Sequence, residues 1–151
     1  MARFKEQNVD IIIEKDSFSI FMKDLKDELN ISKAFVIATN SMDRDKVNHV
    51  FDNARIDTVM HVDSFVDPTE ESVQEAIELF KQSNANTIIG IGGGSVIDLA
   101  KAVVYFNLDN RPNLILIPTT YAGTELTKGF MIVRPDHTKK SVYDVGVQPD
   151  I

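Results

Sequence analysis

Thr87-Ile88-Ile89-Gly90-Ile91-Gly92-Gly93-Gly94-Ser95-Val96-Ile97-Asp98-Leu99-Ala100-Lys101 passes from a short β-branched run, through consecutive glycines, into residues of helical spacing. The apolar run predicts a strand over Thr87–Ile91. Beyond the glycines, Val96, Ile97, Leu99, Ala100, Val103 and Val104 leave a narrow polar stripe of Asp98, Lys101 and Tyr105, which predicts a largely buried helix. A strand that enters a helix through glycines leaves the first N–H groups of that helix unpaired, and with the macrodipole these favour an anion, commonly a phosphate. Glycine is required where a ligand comes against the backbone or where φ is positive, and the three in a row suggest both. The same residues also read as a tight strand-to-helix turn, with Ser95 as N-cap and Asp98 completing a capping-box-like pair. Asp98 and Lys101, at i,i+3, also read as partners of one another. After Gly90-x-Gly92, Ser95 stands where the common dinucleotide fingerprint has its third glycine.

Outward from this stretch the same alternation recurs. Val9–Ile13 reads as a strand, followed by Phe18, Phe21, Met22, Leu25 and Leu29 at helical spacing. Lys33–Ala38 is the next strand. The polar cluster Thr39-Asn40-Ser41-Met42-Asp43 suits a turn and helix start, and Val47, Val50 and Phe51 follow. Thr58–Val62 is a third strand, after which Asp67-Pro68-Thr69-Glu70 supplies a cap, an N1 proline and early acids for a helix with Val73, Ala76, Ile77 and Phe80 inward. Leu114–Ile117, stopped by Pro118, is the strand after the glycine helix. Short apolar strands alternating with amphipathic helices predict an α/β fold, a Rossmann-like doubly wound and mostly parallel sheet. From Gly129 the pattern changes, and Phe130–Val133 with Ser141–Val147 predicts a β-hairpin appended to that sheet.

The chain has 151 residues, the size of one domain, and at this length folding buries roughly two thirds of the unfolded chain's surface. Hydrophobic residues at 43% and charged residues at 26% place it among globular proteins. A net charge of −7 opposes nucleic acid and anionic lipid, both of which recruit lysine and arginine. The absence of cysteine suits a reducing cytoplasm. Met1-Ala-Arg-Phe-Lys-Glu-Gln lacks the features of a secretory leader, and no apolar run reaches membrane-spanning length. The expectation is a cytoplasmic protein with neither a nucleic-acid nor a membrane partner.

GGGSVIDLAK, together with Pro118-Thr119-Thr120-Tyr121-Ala122-Gly123-Thr124-Glu125-Leu126-Thr127, resembles the cofactor domain of the iron-containing (group III) alcohol dehydrogenases. Asp67-Pro68-Thr69 is similar to that family's Pro-x-Pro-Thr element, and the PTTYAG-x-E-x-T form looks closest to the maleylacetate reductase branch. The resemblance covers Ile11 to Pro149. Related glycerol dehydrogenases and dehydroquinate synthases usually carry lysine directly after the glycines, so Ser95 favours the alcohol dehydrogenase side.

By this resemblance residues 1–151 form a dinucleotide-binding domain for NAD or NADP. Gly92, Gly93, Gly94 and Ser95 would hold the diphosphate, Asp98 would lie near the nicotinamide ribose, and Thr119 and Thr120 would line diphosphate and ribose. Asn40 stands where the family often has an aspartate that binds the adenosine ribose and repels a 2′-phosphate, so the exclusion of NADP is lost. Asn40 also reads as a turn residue. Lys139 or Lys140 matches a cofactor-side lysine of the family's hairpin, and the two also read as solvated charges. A divalent metal, Fe or Zn, would be bound by an aspartate and histidines of a helical second domain. His49, His61 and His137 lie in separate segments without metal-site spacing, so neither a metal nor a catalytic residue is expected in this chain. The complete enzyme would act on a small alcohol, aldehyde or ketone, and a homo-oligomer is expected. The alternatives are a non-catalytic interaction or regulatory module on the same fold, or a relative of the dehydroquinate synthase or glycerol dehydrogenase type.

Overall fold

β-branched and aromatic residues on both faces of a strand need cover on both sides, and the central strands of this chain have it. A computed structural model describes residues 2–6, 8–13 and 15–151. Met1 and Gln7 of the opening stretch, and Glu14, lie outside the described residues. The elements in order are β1 (Ala2–Glu6), β2 (Val9–Ile13), α1 (Ser17–Glu28), β3 (Lys33–Thr39), α2 (Arg44–Ala54), β4 (Asp57–Asp63), α3 (Glu70–Ser83), β5 (Thr87–Gly92), α4 (Gly94–Tyr105), β6 (Asn113–Pro118), β7 (Gly129–Val133) and β8 (Lys139–Tyr143). Strands β4-β3-β5-β6 form a parallel sheet in that order.

The pleat sorts the core into two layers. Phe35, Ile37, Ile88, Leu114 and Leu116 face α3 and α4, while Ala34, Val36, Ala38, Ile89 and Ile115 face α1 and α2. The sheet is therefore doubly wound, as the alternation of strands and helices predicts. The chain steps from β3 outward to β4 and then returns to β5 on the other side of β3. Ligands of open α/β sheets collect at such a reversal, outside the carboxyl ends of the strands, here at Thr39-Asn40 and Gly92-Gly93.

Three local expectations are corrected. Val9–Ile13 is a strand, but it pairs antiparallel with β1 in a separate two-stranded sheet and is not the first member of the parallel series. Every residue of β1 is exposed, so hydrophobic pattern could not disclose it. At α3 the N-cap is Thr69, which forms a capping box with Ser72, and neither Asp67 caps nor Pro68 occupies N1. Pro68 instead accepts the Val133 N–H through its carbonyl at 2.8 Å. At α4 the N-cap is Gly93, so Ser95 is the second helical residue and forms no capping box with Asp98. The expected hairpin is present as β7 and β8, an antiparallel pair whose Phe130 and Ile132 join the core beside α4. The hairpin is tied to the start of α3 by a bridge between Thr69 and Val133. Its apolar face covers the side of α4 that the sheet leaves open, which explains why even the polar stripe of that helix is enclosed.

Thr69→Ala removes the Oγ1 that accepts the Ser72 N–H and leaves the backbone half of the reciprocal cap, Thr69 N–H to Ser72 Oγ, in place. It is expected to lower the unfolding free energy by about 1 kcal/mol in urea titration, with no change in the secondary-structure spectrum.

Candidate dinucleotide site

The carboxyl end of β5 runs into α4 with only Gly93 between them. Gly92 is buried because α4 lies directly on it, and a Cβ there would stand 2.7 Å from Val96 Cγ2 and 2.8 Å from Val96 Cβ. A Cβ on Gly93 would meet Thr120 Oγ1 at 3.2 Å, whereas one on Gly94 would find Ala122 at an ordinary 3.8 Å. None of these three glycines has positive φ, since Gly93 sits at φ −84° and the left-handed glycine of the chain is Gly123. The expectation of positive φ in the glycine run is thus corrected. Close packing requires Gly92, the approach of the threonine loop favours Gly93, and nothing in the protein requires Gly94.

The loop after β6 closes against this turn, with the Thr119 N–H donating to Gly92 O at 2.9 Å. The structure thus brings the glycine turn together with Thr119 and Thr120. No side chain caps α4, although Asp43 caps α2 and Thr69 caps α3. The first turn of α4, with the positive end of its dipole, starts beside the threonine loop. A cavity of about 640 Å³ opens on another side of the loop, lined by Thr119 and Thr120 with Phe4, Ile11, Ile13 and Leu116, and by none of Gly92–Ser95.

Asn40 lies at the end of β3, the other lip of the chain reversal. Its N–H donates to Asp63 O at 3.1 Å and its side-chain amide to Ser64 Oγ at 2.6 Å, and it is part of a turn closed by Met42 N–H to Thr39 O. Lys139, on β8, is paired with Asp67 at 2.7 Å. Both of these charges act on Asp98, which brings the hairpin lysine into the electrostatic neighbourhood of α4.

Asp98 is 7% exposed. Burial pushes its carboxyl up to about 6, against the opposing effects of the Met131 N–H bond and the Lys101 charge. Lys101 is fully buried, and desolvation lowers its ammonium to about 8, against the attraction of Asp98 and Glu125. Lys101 does not close an ion pair with Asp98. Its Nζ donates to the carbonyls of Thr124, of Thr127 at 2.7 Å and of Gly129 at 3.1 Å. Sequence reasoning missed this bond set, because i,i+3 spacing points along the helix while the acceptors come from a loop more than twenty residues away.

His61 stacks on Phe35 and packs edge-on against Phe65, with ring centroids 6.2 and 5.2 Å away. Among the described residues no group of three or more His, Asp or Glu side chains is placed to hold a metal ion. Among those residues, too, no helix is long and apolar enough to cross a membrane.

A doubly wound parallel sheet with a glycine-entered helix at its chain reversal places the chain in the class of open α/β domains, whose ligands collect at that reversal. Residues 5–151 match the family model described as iron-containing alcohol dehydrogenase, and the chain belongs to that family of oxidoreductases. A maleylacetate reductase of Pseudomonas knackmussii is 33% identical over 149 residues, an alignment covering 92% of this chain and 38% of that protein. Among solved structures, a maleylacetate reductase from Agrobacterium tumefaciens superposes with a TM-score of 0.80 at 22% identity, over 99% of this chain and 40% of that one. A sulfoacetaldehyde reductase from Bifidobacterium kashiwanohense in complex with NAD+ gives 0.85 at 19% identity, over 99% of this chain and 45% of that one. The chain thus spans about two fifths of the length of these relatives, and the superpositions establish its fold.

Proposed function

We propose that this chain is the NAD(P)-binding part of a metal-dependent alcohol dehydrogenase or reductase, in which hydride passes between nicotinamide and an alcohol or carbonyl carbon. The observation that carries the reading is the uncapped N-terminus of α4 facing Thr119 and Thr120 across the glycine turn. A diphosphate there would meet hydrogen-bond donors on both sides. The amides of Gly94 and Ser95 would supply donors, the Thr119 and Thr120 hydroxyls would add more, and at Gly94 even a Cβ would meet nothing closer than Ala122 at 3.8 Å. Asp98 would approach the nicotinamide ribose, with Lys139 on the hairpin beside it. The bound nicotinamide supplies or accepts the hydride, while the residues of this chain bind and orient it. A metal would be held by residues outside these 151, on a helical domain, so the chain alone is expected to bind dinucleotide and turn over no alcohol with Fe(II) or Zn(II).

Calorimetric titration with NADH and NADPH tests the reading. Saturable heat is expected, and none with either dinucleotide would leave a fold without its cofactor role. Gly94→Ala sharpens the test, because its Cβ meets only Ala122 at 3.8 Å. The variant should keep the wild-type unfolding midpoint and lose at least about tenfold in NADH affinity, since a methyl group displaces the diphosphate from the amides.

Asn40 addresses cofactor choice. With asparagine at that position, Asn40 itself carries no charge to repel a 2′-phosphate, so NADPH should bind about as well as NADH. Asn40→Asp is expected to weaken NADPH about tenfold or more and leave NADH nearly unchanged, in the same titration.

A further inference from the structure

An ammonium with no exposed surface is costly, and an apolar side chain of similar length would usually stabilise a core better. Lys101 is such an ammonium, at 0% exposure. Its three N–H bonds go to the carbonyls of Thr124, Thr127 and Gly129, with Thr127 Oγ1 a further acceptor at 3.2 Å. Thr124 and Thr127 lie between β6 and β7, in a stretch whose regular structure is one short 3₁₀ turn at Thr124–Leu126, and Gly129 is the first residue of β7. That stretch is fastened at one end by Thr119 N–H to Gly92 O and at the other by Asp144 N–H to Lys128 O at 2.8 Å. Between the two ends, Tyr121, Ala122 and Gly123 are exposed. The groups that face the ammonium electrostatically are Asp98 on its own helix and Glu125 in the loop.

We propose that Lys101 is a positioning residue: it rivets the Thr119–Gly129 loop to α4, so that Thr119 and Thr120 are held opposite Gly93 and Gly94 as one rigid wall of the cradle. The inference rests on the dinucleotide reading for its consequence and on the bond set alone for its mechanics. Carbonyls suit the task because they fix direction without titrating. A lysine two turns into the helix can thereby set a loop that it never reaches with a carboxylate pair.

Lys101→Met keeps the apolar stem and removes every donor. Amide hydrogen exchange across residues 121–129 should quicken at least tenfold, while β3 and β5 amides stay within threefold of wild type. In parallel, the Kd for NADH should rise at least tenfold. Loop exchange that stays at the wild-type rate would overturn the proposal. So would β3, β5 and loop amides opening together, which marks a lysine that serves the core as a whole. Should Lys101→Met not fold, the wild-type protein decides: amides of residues 123–129 protected at least a hundredfold over an unstructured peptide support the rivet, and unprotected ones refute it. If wild-type protein binds no NADH, the dinucleotide reading falls, and the exchange data still report whether Lys101 holds the loop.

Discussion

Replacing Gly92 by alanine is expected to cost about 3 kcal/mol of unfolding free energy, the upper end for overpacking a well-filled interior. The added Cβ would sit 2.7 Å from Val96 Cγ2 and 2.8 Å from Val96 Cβ. The second atom cannot rotate away, because its position is set by the backbone of the first turn of α4. Relief requires the helix to lift from β5, and Gly90 shows how little slack exists, since a Cβ there would already press on Ala100 at 3.2 Å and Leu116 at 3.1 Å. Urea denaturation monitored by circular dichroism reads the effect directly. A change below about 0.5 kcal/mol would mean that α4 is free to shift and that the glycine run is not a packing device. The contrast with Gly94→Ala, where the fold should be indifferent and the affinity should suffer, divides a run of identical residues into one that serves the core and one left open to a ligand.

The parallel sheet was legible because its strands carry apolar residues on both faces and are bounded by caps and turns. Lys33–Thr39 and Thr87–Gly92 lie within one or two residues of the spans read from pattern alone. Strand β1 was illegible for the opposite reason. Ala2–Glu6 buries nothing, and only backbone pairing with Val9–Ile13 makes it a strand. The helix caps were misplaced by short-range competition. Thr69 and Ser72 close a reciprocal pair that Asp67-Pro68 cannot match, which leaves Asp67 to pair with Lys139. At the glycine stretch, the passage from strand to helix at Gly92 to Ser95 was legible, although the N-cap is Gly93 and not Ser95. The roles of Lys101 and Asp67 were not, because each depends on where a distant loop or hairpin lies in space, and spacing along the chain holds no record of that.

Asp98→Asn should stabilise the protein at neutral pH, which is unusual for the removal of a buried, bonded side chain. Burial raises the native carboxyl from 3.8 to about 6. A group with a raised native pKa holds its proton more tightly when folded, so the contribution of the protonated form is complete below about pH 4 and is lost as pH climbs through about 6. At pH 7 the ionised side chain therefore weighs against folding by about 3 kcal/mol, since each tenfold change in proton affinity corresponds to about 1.4 kcal/mol. Asparagine keeps an acceptor for the Met131 N–H and carries no charge. Part of the gain is offset because Lys101 loses the attraction of a neighbouring carboxylate. The net increase should be about 2 kcal/mol at pH 7.5, shrinking to about 1 kcal/mol or less at pH 4.5, where the native wild-type carboxyl is already protonated. Taking the difference between the two proteins cancels the titration of the other acidic groups. A variant destabilised equally at both pH values would show that the ionised carboxylate supports the fold and that its burial carries no penalty. If the gain appears, the chain keeps a charge beside the cradle at the expense of its own stability, as a group selected for contact with a bound ribose would require and a group selected for packing would not.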